Sequence, residues 1–331
     1  MAAQAQPGGF AADGAAAPRE RNIGVGQSVD SSALVSGDNN QINQSHTVNH
    51  YYGLPETQPA PTRKDRNEKT LINAVWTEVD DRLRQSLHNA ILIRLDMAEQ
   101  RSQVSRPWDS ELRTANQKAK TLAPGTRIAE VFDRRDVGGK LLVLGDPGAG
   151  KTTTMLDLAV ILVQRANVDP NEPIPIIFNL SSWQDSQQSL TEWMWTFLRE
   201  HQVFIPKDLW IAWLKEKKII PLLDGLDGLP SERQEIAVKA INNWLQSEEG
   251  ASRLLVCSRR EEYELYNSKL NLNGTICLSP LTNGQIQRYL GSLKREHLWE
   301  TLQHDADLLE MVRTPLLLSV SILVNDAFDL F

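Results

Sequence analysis

Residues 140–158 read KLLVLGDPGAGKTTTMLDL, and inside them Gly145-Asp146-Pro147-Gly148-Ala149-Gly150-Lys151-Thr152 is a complete Gly-x-x-x-x-Gly-Lys-[Ser/Thr] run. The apolar LLVL (141–144) before it has strand character, and TTTMLDLAVILVQ (152–164) after it has that of a buried helix. Strand, loop and helix together are the context this motif needs. The glycines let backbone N–H groups of Gly145, Asp146, Pro147's neighbours, Gly148, Ala149 and Gly150 turn inward around phosphate oxygens, and the helix amino terminus adds its dipole. Lys151 is placed to reach the outer phosphates, the Thr152 hydroxyl to ligate Mg²⁺, and Thr153 to line the same first turn.

Working outward, IPIIFNL (174–180), IIPLLD (219–224) and RLLVCS (253–258) are further short apolar runs, separated by helical stretches that begin near Lys151, Leu190 and Ser231. Ser231-x-x-Gln234 fits a capping box. Alternating β and α at this spacing predicts an α/β fold, a parallel sheet flanked by helices. Asp224 closes one of these strands and Asp227 follows three residues on. Asp224 is the candidate to hold Mg²⁺ through water, and Asp227 to orient or deprotonate an attacking water. The plainer reading of Asp224-Gly225 and Asp227-Gly228 is a pair of turn signals, and Pro221 counts against a central strand. Arg259, just past the end of 253–258, falls at the carboxyl edge of a parallel sheet and is either a phosphate sensor or part of a solvated loop.

The whole chain has 331 residues, 41% of them hydrophobic, which suits about two domains and excludes a wholly disordered protein. Its 42 acidic and 35 basic residues give a net charge of -7, against a broad nucleic-acid footprint and with no clear nucleic-acid site. No stretch approaches a membrane span, the amino terminus lacks a secretion signal, and two cysteines suit a cytoplasmic chain without disulfides.

Composition divides the chain further. Residues 1–62 are rich in Ala, Gly, Ser, Asn and Pro and read as mostly disordered, with a weakly β-prone tract over 21–53. Residues 63–124 read as a helical linker, in which Leu71, Val75, Val79, Leu83, Leu87, Ile91 and Leu95 mark an amphipathic helix of about thirty residues. The sheet domain covers 125–280, and 281–331 is a small all-α segment, ending on NDAFDLF as though cut short. His46 and His50 are too few for a metal site. The tryptophans at 183, 193, 195, 210, 213 and 244, and Cys257 and Cys277, are most simply core residues.

These motifs in this order resemble the NACHT family of STAND-type P-loop NTPases, from about Thr70 to Leu323, and notably its bacterial, cyanobacterial-like members. Leu222 to Asp227 are similar to the family's second acidic motif, with Gly228 standing where a further acidic residue is usual. Cys257-Ser258-Arg259 looks like the family's sensor segment, and RTPLLL (313–318) like the start of its helical domain. The resemblance implies that Pro315 packs on the nucleotide base, and that Thr126, Arg127 and Ile128 of APGTRIAEVFD lie near adenine.

It also implies ATP/ADP and Mg²⁺ as cofactors, slow hydrolysis, and a signalling switch that self-associates in its ATP state, in bacterial defence or regulated self-assembly. The amino-terminal segment is then either an effector that templates a partner by cross-β stacking or an unstructured tail. The sequence lacks the NKxD and LSGGQ motifs of small GTPases and transporter ATPases and leaves guanine open. A constitutive AAA+-like ATPase and a nucleotide-holding scaffold without turnover are the alternatives.

Overall fold

The computed structural model describes residues 63–86, 110–114, 120–121, 126–185 and 187–328. The amino-terminal segment, with His46, His50 and its β-prone tract, lies outside them, as do Leu87, Ile91 and Leu95.

Seven strands among the described residues form one sheet: β1 (Ser110–Thr114), β2 (Lys120–Thr121), β3 (Lys140–Gly145), β4 (Ile174–Asn179), β5 (Ile219–Asp224), β6 (Leu254–Ser258) and β7 (Gly274–Leu278). Their order is β2-β1-β7-β3-β6-β5-β4. The five strands from β7 to β4 are parallel, and β1 and β2 extend the β7 edge antiparallel. The parallel strands are buried almost end to end, which is why each reads in sequence as an unbroken apolar run.

Helices α1 (Arg63–Gln85), α2 (Ile128–Phe132), α3 (Lys151–Val168), α4 (Leu190–Glu200), α5 (Lys207–Lys215), α6 (Ser231–Leu245) and α7 (Arg260–Leu265) accompany the sheet. The last four, α8 (Asn283–Ser292), α9 (Glu296–Leu302), α10 (Ala306–Met311) and α11 (Pro315–Phe328), enclose a separate apolar core that includes Leu281, Ile286, Leu290, Val312 and Ile322. No described helix is long and apolar enough to cross a membrane.

Strand order positions the site. The chain leaves β3 for the far edge at β4, returns through β5 to β6, then passes over β3 to β7. That reversal makes the carboxyl ends of β3 and β6 a topological switch point, the place where open α/β sheets leave a crevice.

The structure revises several expectations. Helix α1 spans 23 described residues, the rest of the expected thirty lying outside them, and it is part of the main core. Leu71, Val75 and Val79 are buried on one face against α3 and β4, each contributing roughly 1.5–3 kcal/mol of apolar burial. Lys218 Nζ, just before β5, meets Glu68 Oε1 of α1 at 2.7 Å. The stretch 63–124 also supplies β1 and β2, so it is not helical throughout.

Pro221 does lie within β5, paired with Ile176 of β4, and the ladder to β6 begins one residue later at Leu222. A missing donor thus shortens one ladder without ending the strand. Ser231 makes no capping box: Pro230 holds the cap position of α6, and Gln234 spends its amide elsewhere. A capping box occurs instead at α8, where Thr282 and Gln285 bond reciprocally. Trp183, Trp193, Trp210 and Trp213 are buried packing residues, as are both free cysteines.

Candidate functional site

The loop 145–150 joins β3 to α3. Gly148 and Gly150 have φ of +76° and +94°, conformations that side-chain-bearing residues rarely adopt, so both glycines are required for the turn. Gly150 stands at the cap of α3, leaving the first amides of that helix directed at the loop's concavity. Asp146 and Pro147 are exposed on its outside, whereas Ala149 is buried beneath it. Lys151 Nζ donates to the carbonyls of Gly145 (2.8 Å) and Asp146 (3.1 Å). Thr153 follows in the first turn, half-buried.

Thr152 Oγ1 donates to Asp224 Oδ2 at 2.9 Å. The two residues are 72 apart in sequence: Thr152 opens α3 just after β3, Asp224 ends β5, and β6 lies between those two strands. Burial raises the Asp224 carboxyl above the ordinary carboxylate range, the Thr152 hydrogen bond opposes this, and the charges of Arg82 and Lys151 lower it further while Asp227 raises it. Arg82, on α1, is a cation that motif reading does not find. Only the packing of α1 along the sheet brings it into the field of Asp224.

A hydroxyl and a carboxylate this close fit one Mg²⁺, which keeps several waters and takes few protein ligands beside phosphate oxygens. Cys257, paired with Val143 across the β3–β6 ladder, points its Sγ at the Lys151 carbonyl at 3.9 Å. Burial pushes its thiol well up, so it is inert packing behind the loop.

Asp227 and Arg259 form a clamp. The Arg259 amide donates to Asp227 Oδ1 at 2.9 Å and its Nε to Oδ2 at 3.0 Å. The guanidinium also reaches Glu262 at 3.1 Å. Asp227 is 11% exposed and Arg259 45%. Gly228, the departure from the resembled motif, faces Ser181, and a Cβ there would sit 3.3 Å from the serine Cβ.

The helical segment approaches the loop directly. Leu316 N–H donates to the Gly148 carbonyl at 3.2 Å, and Pro315 is buried at the first turn of α11. A Cβ on Gly148 would meet Leu316 Cβ and Thr314 Cγ2, each at 2.9 Å. Thr126 and Arg127 precede α2, which packs against α3; Arg127 is exposed and Ile128 is buried in the main core. Lys151, Thr152, Asp224, Asp227 and Arg259 thus share one sheet edge. Thr126, Arg127 and Ile128 lie at the start of α2, which packs against α3.

A parallel five-stranded sheet flanked by helices, with its glycine loop at the switch point, defines an α/β protein of P-loop type. Neither a family model nor a curated protein matches the sequence. Among solved structures the chain is similar to the Orc1 protein of Aeropyrum pernix in complex with DNA, at 18% identity over 51% of this chain and 48% of that one, with a TM-score of 0.33. It is also similar to Cdc6p from Pyrobaculum aerophilum, at 18% identity over 54% and 52%, again with a TM-score of 0.33. The chain spans about half the length of either. Similarity at that level carries no functional argument.

Proposed function

We propose that the chain binds a nucleoside triphosphate with Mg²⁺ on the 145–152 loop and hydrolyses it slowly, as a nucleotide-controlled switch of the NACHT/STAND kind. The observation that carries this reading is the 2.9 Å bond from Thr152 to Asp224 across an interposed strand. No packing need explains a half-buried carboxylate there, and a shared cation does. When bound, Mg²⁺ would neutralise phosphate charge; Thr152 and Asp224 would hold it.

In this reading Lys151 serves the outer phosphates and Asp227 orients the attacking water. Both Asp227 oxygens accept hydrogen bonds from Arg259, which fixes where the carboxylate stands. The contact of α11 with Gly148 supports a switch, because nucleotide and helical segment then meet at the same loop. Pro315 and the 126–128 segment are the proposed neighbours of the base, and self-association in the triphosphate state is the proposed output.

The test is a titration of a fluorescent ATP analogue with Mg²⁺, alongside steady-state turnover, in wild type and Lys151→Ala. Binding that the substitution abolishes, with turnover far below about one per second, is expected. Fast turnover by the isolated chain would favour a constitutive AAA+-like ATPase. Binding without turnover would favour a scaffold.

A further inference from the structure

The carboxyl ends of β5 and β6 meet over a buried polar pair that belongs to no motif. Gln234 is 5% exposed and Tyr266 8%. Gln234 Nε2 donates to the carbonyls of Leu229 (2.8 Å) and Asp227 (3.2 Å), while its Oε1 accepts the Tyr266 hydroxyl at 2.9 Å. Carbonyl oxygens only accept, so these partners fix the amide's orientation. Ser258 Oγ, wholly buried at the end of β6, faces Tyr266 without a hydrogen bond of normal geometry. Asp227 is therefore held from two sides: its carboxylate by Arg259 and its backbone carbonyl by Gln234, which Tyr266 steadies in turn.

We propose that Gln234 and Tyr266 are positioning residues that set where the Asp227 carboxylate stands relative to the phosphate loop, and so govern turnover without governing nucleotide affinity. The proposal rests on the hydrolytic reading above. Methionine or leucine would fill the Gln234 position without burying an amide, so simple packing does not call for glutamine there. What the amide adds is a bond to the carbonyl of Asp227, whose carboxylate Arg259 holds through both its amide and its Nε. Displacement of a reacting group by a fraction of an ångström is enough to slow chemistry while leaving binding intact.

The experiment uses the full chain as wild type, Tyr266→Phe, Gln234→Met and the double variant. It reads kcat for ATP, Kd for a fluorescent ADP analogue, and the thermal midpoint. Each single variant is expected to lose about tenfold in kcat with Kd changed by less than about twofold. The double variant should be no slower than Gln234→Met alone, because the tyrosine acts through the glutamine. A merely structural role would add the two losses and move Kd with kcat.

Single variants with wild-type kcat, or losses of kcat and Kd that track each other, would overturn the positioning role. Should Gln234→Met not fold, Tyr266→Phe carries the test, since its ring keeps the packing. A wild-type chain with no Lys151-dependent turnover would remove the functional reading and this role together. Wild-type turnover with unaffected variants would sink this role only.

Discussion

The amide of Leu316 donates to the carbonyl of Gly148 at 3.2 Å, so the last described helix rests on the glycine loop itself. The contact is close because Gly148 has no side chain: its φ of +76° and the 2.9 Å approach of Leu316 and Thr314 leave no room for a Cβ.

Gly148→Ala should therefore do two things. Left-handed strain costs about 1–2 kcal/mol, and the new methyl pushes α11 away from the loop. A lower thermal midpoint and faster amide exchange at Leu316 are expected. Unchanged exchange at that amide would show that the contact does not hold the helix.

The Asp224 carboxyl is raised by burial, so folding favours its protonated form. A raised carboxyl contributes stability that is present at low pH and lost as pH rises through its folded value. Asp224→Asn should accordingly melt higher than wild type near pH 7.5, with the gain shrinking toward about pH 4. The same variant should lose Mg²⁺-dependent nucleotide binding. Melts at the two pH values with equal differences would contradict the assignment of burial as the dominant cause.

Arg259→Ala removes the Nε bond to Asp227 and the pair with Glu262 but leaves the backbone bond. With the side chain half in solvent, stability should change by less than about 1 kcal/mol. Turnover should fall by about tenfold or more, as the Asp227 carboxylate loses one of its two hydrogen bonds from Arg259. Arg259→Lys should not restore it, because a lysine lacks the Nε donor of the planar fork. Steady-state turnover with parallel urea unfolding separates the two effects.

Leu71→Ala tests whether α1 is core or linker. Leu71 is fully buried, and truncation should cost about 2–5 kcal/mol by urea unfolding. A cost under about 1 kcal/mol would return the helix to the role of a tether.

The glycine loop and the four apolar runs around it are legible in sequence for a local reason. The loop needs glycines where φ is positive, and strands covered on both faces need apolar residues throughout. Asp224, Asp227 and Arg259 are legible by their place at strand ends. Gln234 is misleading, because Ser231-x-x-Gln234 has capping spacing while Pro230 already holds the cap position and the amide turns inward to Asp227 and Leu229. Arg82 is silent, since an arginine on an amphipathic helix resembles any solvated charge until the helix is docked.

The amino-acid sequence by itself determined the α/β class, the strand–glycine loop–helix, and the apolar stripe of α1, because each depends on backbone preference or periodicity within a few turns of chain. Tertiary structure alone decided the strand order that sets β6 between β3 and β5 and still brings Thr152 to Asp224, and the docking of α1 into the main core. It also decided the seating of α11 on Gly148 and the Tyr266–Gln234 hold on Asp227. Those depend on which residues distant in the chain share a neighbour, and parallel strands joined by crossovers carry no local signal of that order.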